Sequence, residues 1–125
     1  MATATGIKAT GIDLHGYLVK DPKRAIQFYK EMLGLTSTYE MEQGAEFAMP
    51  DGTTFGLWKM NDGSWHPSAG VFFAVPDLKA AHAELKRRGV KFLADEPFES
   101  EVCHMIPVED TEGNTFILHQ RKTKD

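Results

Sequence analysis

The residues best suited to move protons or bind a metal are His15, His104, His119 and Cys103. An imidazole titrates near neutrality and can hydrogen-bond, shuttle a proton or ligate an ion. Cys103 and His104 are neighbours on a stretch that reads as a strand, so they point to opposite faces. That argues against a thiolate–imidazolium pair and leaves Cys103 as a buried small hydrophobe. Trp58 offers an indole to stack on a flat ligand. Trp65-His66-Pro67 lies in a linker, where loop packing and capping of a cleft mouth are both open. Glu96, Glu99 and Glu101 read as a solvated charged face. No phosphate-cradling glycine loop and no nucleophile elbow is present.

The elements that must position these groups are organised around Val19–Leu35. Asp21 is a good N-cap and Pro22 suits the first helical position. Ala25, Ile26, Tyr29, Met32 and Leu33 fall on one face at helical spacing, and Gly34 stops the helix. Val75-Pro76-Asp77-Leu78 repeats Val19-Lys20-Asp21-Pro22 at an offset of 56. Leu78, Ala81 and Leu85 form its apolar face, Lys86-Arg87-Arg88 suit the negative helix end, and Gly89 closes it. Asp51–Leu57 matches Glu112–Leu118 at an offset of 61, in the same order. One supersecondary unit is therefore used twice.

In chain order the pattern predicts strands over Ile12–Val19, Thr36–Met41, Ala45–Met49 and Thr54–Met60, with the first helix after strand 1. Asn61–Ser68 divides the units. Strands then follow over Val71–Val75, Val90–Leu93, Val102–Val108 and Thr115–Gln120, with a helix over Leu78–Arg88. Asp95–Glu101 reads as a loop, residues 1 to about 8 as a frayed tail, and Pro107 as an edge or a bulge. The expected fold is α+β: one domain of two βαβββ modules, about 11–60 and 69–121. Mainly antiparallel curved sheets form a cleft, with helices on their outer faces. Alternation gives Trp58 the facing of Gly56, His119 that of Ile117 and Phe72 that of Gly70, with Trp58 and His119 as repeat mates. His15 has the parity opposite to Leu14 and reads as half-buried near the helix layer.

The 125 residues suffice for one buried core. A net charge of −4 and the lack of a basic stripe argue against nucleic acid. A single cysteine excludes an internal disulfide and fits a cytoplasmic setting. Met1–Thr10 lacks the apolar core of a signal peptide, and no run approaches the ~18 apolar residues that span a bilayer.

The doubled module resembles the vicinal oxygen chelate superfamily of glyoxalases, bleomycin-resistance proteins and extradiol dioxygenases. The likeness is carried by Val19-Lys20-Asp21, Phe28-Tyr29, Leu33-Gly34-Leu35, Phe73-Ala74-Val75-Pro76-Asp77 and Asp110-Thr111-Glu112-Gly113-Asn114. Metal-using members place His, Gln or Glu at four positions that correspond here to Leu14, Gly56, Gly70 and Ile117. None of these side chains can ligate a metal. The resemblance therefore implies a binding protein without metal or other cofactor, like the bleomycin-resistance proteins, which hold drugs in a cleft between two subunits. An apolar or aromatic ligand would lie among Leu14, Gly56, Trp58, Gly70, Phe72, Ile117 and His119. Bare sheet edges and the family habit imply a homodimer. The alternatives are a glyoxalase- or dioxygenase-like enzyme using His119, His15 or Cys103, a divalent ion at a shifted site of His15 and His119 with His104, and an interaction module with a filled cleft.

Overall fold

Two capped helices set the frame of the computed structural model, which describes residues 6–122. Residues 1–5, most of the expected tail, lie outside the described residues. The first strand, β1, is His15–Leu18, and helix α1 follows over Pro22–Leu33. The Asp21 carboxylate accepts from the Arg24 amide at 3.2 Å, and Pro22 occupies the first turn, where no amide donor is needed. Gly34 ends α1 in the left-handed conformation, φ 67°, and donates its amide to the Tyr29 carbonyl. Helix α2, Leu78–Arg87, repeats the start: Asp77 accepts from Ala80 at 3.1 Å.

The remaining strands are β2 Thr36–Met41, β3 Gly44–Ala48, β4 Thr54–Trp58, β5 Val71–Ala74, β6 Lys91–Phe92, β7 Phe98–Glu99, β8 Cys103–Glu109 and β9 Thr115–Arg121. They form two sheets in the orders β1-β4-β3-β2 and β5-β9-β8-β6, with β7 also beside β8. The helix returns the chain so that the strand after it runs in the original direction. Two hairpins then leave the last strand of each unit parallel to the first, giving β1 against β4 and β5 against β9. All other pairs are antiparallel.

Two departures from the sequence reading have local causes. The Asp95–Glu101 segment is not all loop: Phe98 and Glu99 pair with Met105 and His104. Pro107 lies inside β8, but its carbonyl accepts from Leu93 on the β6 side. The amide and carbonyl of a strand residue point the same way, so the missing donor falls on that side. β6 ends at Phe92 because Pro107 cannot return the bond.

The core lies on the helix side of both sheets. Phe55 and Phe73, one from each sheet, meet with ring centroids 5.0 Å apart. α1 serves both modules: Tyr29 lies 5.1 Å from Phe55, 6.2 Å from Phe73 and 5.8 Å from Phe116. Each such pair contributes about 0.5–1.5 kcal/mol beyond its area burial. The Tyr17 hydroxyl adds a polar seam, donating to the Thr115 carbonyl at 2.6 Å and accepting from the Val71 amide at 3.1 Å.

The turn Asp110–Asn114, between β8 and β9, clasps the first module. Glu112 is buried, and its carboxylate accepts from the Lys20 and Asp21 amides at 2.6 and 2.9 Å and from Arg24 Nε and Nη2 at 3.0 and 2.7 Å. An anion suits this place, the positive end of α1. Asp110 accepts from the Tyr29 hydroxyl at 2.6 Å, and Asn114 Nδ2 donates to the Leu18 carbonyl at 2.7 Å. Trp65 closes the seam: its indole donates to Leu18, and Lys20 Nζ sits 4.1 Å from its ring centroid. Trp65 is thus a packed loop residue. Among the described residues, no buried side-chain nitrogen or oxygen lacks a partner, and no helix is long and apolar enough to cross a membrane.

Candidate functional site

Each sheet has one face on the core and one turned away from it. On the first sheet, Tyr17, Phe47, Phe55 and Leu57 point inward, so alternation sends Gly16, Glu46, Gly56 and Trp58 to the open face. Two glycines side by side leave a depression there. The Leu14 side chain lies over both: its Cδ1 would be 3.2 Å from a Cβ at Gly16 and 3.1 Å from one at Gly56. Around it is a hollow of about 230 Å³, rimmed by Tyr39, Met41 and Trp58, all exposed. Glu46 stands in it, paired in register with Gly56 and Tyr39.

The second sheet's open face carries two cross-strand rows. One runs Pro107–Ile117–Phe72 and the other Phe98–Met105–His119–Ala74. Phe72 and His119 meet edge to face, with centroids 5.7 Å apart. They border a hollow of about 650 Å³ that also includes Ala74, Pro76 and Arg121.

The residues expected to share one ligand site fall into two sets. Leu14, Gly56 and Trp58 belong to the first sheet, and Phe72, Ile117 and His119 to the second. None of five hollows of about 230–650 Å³ among the described residues is lined by both sets. The cause is the shared core: both sheets turn their helix sides toward α1, so the open faces point away from it. Gly70 shares a hollow with Phe72 but with no other member of either set. It precedes β5 with φ 105°, and this third hollow, of about 460 Å³, is also lined by His15, Asp51 and Thr53. His15 keeps the parity of Tyr17, as alternation requires, but is exposed because it stands at the end of β1 beyond the helices.

Cys103 is buried at the start of β8, with Ser100 Oγ 3.5 Å from its sulfur. His104 points the other way, into a groove beside the start of α2. His15, His104 and His119 therefore lie on three different surfaces and do not converge on an ion. Among the described residues, no three His, Cys, Asp or Glu side chains are placed to hold a metal. None of the described hydrogen bonds ties His15 or His119 to a carboxylate, the arrangement that general acid–base chemistry uses.

The titrating groups that burial perturbs are Tyr29 and Asp110 in the clasp and Tyr17 in the polar seam beside it, whose hydroxyl burial raises. Burial pushes the Tyr29 hydroxyl far up, with the Asp110 charge adding to the effect. Burial also raises Asp110, against hydrogen bonds from Tyr29, Glu112 and Asn114 that pull it down. These are structural groups, distant from both open faces.

Glu46, Tyr39 and Met41 were not among the residues singled out from the sequence. The signal for Glu46 was present: Ala45 and Phe47 are apolar, so the residue between them on a strand must face outward.

The family model described as Glyoxalase/Bleomycin resistance protein/Dioxygenase superfamily matches residues 11–118. Among solved structures, the chain is similar to TnmS3, an antibiotic binding protein from Streptomyces sp. CB03234. The TM-score is 0.74 at 21% identity, covering 94% of this chain and all of that one. A lactoylglutathione lyase from Agrobacterium tumefaciens gives 0.73 at 13% identity, over 90% of this chain and 94% of that one. A possible glyoxalase from Bacillus cereus gives 0.70 at 22% identity, over 88% and 98%. No curated protein sequence matches.

Proposed function

Because the chain belongs to the glyoxalase/bleomycin resistance protein/dioxygenase superfamily, we propose that it is a small-molecule-binding protein of that group, holding an apolar or aromatic organic ligand on the open faces of its sheets without a metal. The supporting observation is the hollow over Gly16 and Gly56. It is floored by an aliphatic side chain where metal-using relatives place ligands, and it is rimmed by exposed aromatic and thioether groups. Such a lining suits an organic molecule with few polar groups. The similarity to an antibiotic binding protein agrees with this reading at the level of fold.

The 230 Å³ hollow is small for a drug-sized ligand, which takes about 300–1,000 Å³. Both open faces also leave large apolar side chains bare: Tyr39 and Trp58 on one, Phe72 and Phe98 on the other. Two copies meeting open face to open face would cover them and enclose one larger site, with the first sheet of one chain against the second sheet of its partner. The site would then combine Trp58 of one copy with Phe72 and His119 of the other.

Sedimentation tests the assembly and a ligand screen tests the site. At tens of micromolar the mass should be twice that of the 14.0 kDa chain. A thermal-shift screen of aromatic drugs, catechols and glutathione conjugates should yield a ligand that raises Tm; one at a hundred times its Kd adds about 2.7 kcal/mol. Trp58→Ala should weaken that ligand by about 1–3 kcal/mol, as loss of an aromatic anchor does. An unchanged affinity removes Trp58 from the site. A monomer that binds the ligand at full strength removes the two-copy arrangement.

A further inference from the structure

We propose that the hollow on the first sheet is selective for a small aromatic cation. The proposal rests on the reading that this open face binds ligands, and it adds the ligand's charge. The carrying observation is Glu46. It is the one charged residue lining the hollow, in register with Tyr39 on one strand and Gly56 on the next. Gly56 has no side chain, so nothing directly opposite on that strand pairs with Glu46. None of the six ion pairs among the described residues includes it, and no described side-chain hydrogen bond reaches its carboxylate. The nearby acid Glu40 is different: Lys30 and Ser37 hold it, both at 2.6 Å.

An uncharged ligand seated here would strip water from a lone carboxylate and return no partner, which is costly. A cation removes that penalty by supplying the partner itself. The rim works in the same direction, because the ring faces of Tyr39 and Trp58 attract a cation electrostatically. An aromatic portion would pack on Leu14 and Met41. The second sheet's hollow has Arg121 and His119 at its border and no carboxylate, so the preference for a cation comes from Glu46.

The test is an NMR titration of the full chain with benzyltrimethylammonium, and separately with benzyl alcohol as an uncharged ring of similar reach. The cation should shift the amides of Glu46 and Gly56 and the Trp58 indole, and bind at least tenfold more tightly than the alcohol. Glu46→Gln should bring that ratio close to one, by weakening the cation and strengthening the alcohol, which no longer strips water from a charge. Glu46 is exposed, so this variant should keep the wild-type Tm and spectrum. Equal affinities in the wild type, a ratio untouched by Glu46→Gln, shifts confined to the second sheet, or no cation binding up to tens of millimolar would each overturn the proposal. If the alcohol binds this face and the cation holds no advantage, the ligand-binding reading stands and the charge selectivity alone falls.

Discussion

Replacing Glu112 with alanine tests whether the clasp holds the two modules together. The side chain is 1% exposed and is the acceptor for four donors. Two are the Lys20 and Asp21 amides, fixed at the entrance of α1. Glu112→Ala takes the acceptor from both part-buried bonds, and a lost hydrogen bond to a charged group costs about 1.5–3 kcal/mol. Arg24 is different: its side chain is 53% exposed, so it can swing into water and recover most of what it loses. The expected loss is therefore about 3–5 kcal/mol for Glu112→Ala, but only about 1–2 kcal/mol for Arg24→Ala, which leaves the carboxylate its two amides. The first figure is a large part of the roughly 5–15 kcal/mol that a domain possesses. Urea unfolding followed by circular dichroism measures both. With an m value near 1.5 kcal/mol/M, Glu112→Ala should lower the midpoint by roughly 2–3 M. Equal losses for the two variants would show that the amides contribute nothing, and a loss under about 1 kcal/mol for Glu112→Ala would refute the clasp altogether.

Asp110 predicts a pH dependence. Burial holds its carboxyl above the usual 3.8, so the folded state keeps the proton to higher pH than the unfolded chain does. Its contribution to stability is complete below the unfolded value and is lost as pH rises through the folded one. Asp110→Asn removes that loss, so the variant should gain on the wild type as pH rises above the usual 3.8; a difference that stays constant as pH rises would be contrary evidence. Two glycines on neighbouring strands should respond differently to alanine. A Cβ at Gly44 would lie 1.9 Å from the Leu57 carbonyl oxygen, and backbone cannot yield cheaply. Gly44→Ala should cost about 3 kcal/mol, the upper end of overpacking. At Gly56 the nearest atom is the flexible tip of Leu14, so Gly56→Ala should cost less than about 1 kcal/mol while narrowing the hollow. Chemical denaturation of the pair measures both, and equal costs would contradict the contact geometry.

The parts of the fold that were legible in the sequence are those set by near neighbours. Asp21, Pro22 and Gly34 announce α1 because capping acts within a few residues, and the repeat at offsets of 56 and 61 gave the doubled module. Alternation also gave the facing of Trp58, Phe72, Ile117 and His119, since parity along a strand is a local property. The joining of the sheets was not legible. It depends on Phe28 and Tyr29 packing against Phe55, Phe73 and Phe116, and nothing nearby in the chain fixes those partners. Hence the residues expected to share one site fall on two separate open faces. Glu112 was hidden for a related reason: a glutamate in a turn reads as solvated, and only the distant α1 entrance makes its burial tolerable. Glu46 was legible by alternation, since apolar Ala45 and Phe47 flank it on the strand.

The clasp also bears on how the chain is made. Lys20 and its acceptor Glu112 are 92 residues apart. At roughly 5–20 residues per second, the α1 entrance leaves the ribosome roughly 5–20 s before its acceptor exists. Throughout that interval the first module presents the apolar face of α1 and the Lys20 and Asp21 amides without the turn that completes them. Contacts of such long sequence separation close late and slow folding. The first half to be synthesised is thus the last to be finished, and a nascent chain stalled in the Asn61–Ser68 linker would be a substrate for chaperones rather than a folded half-protein.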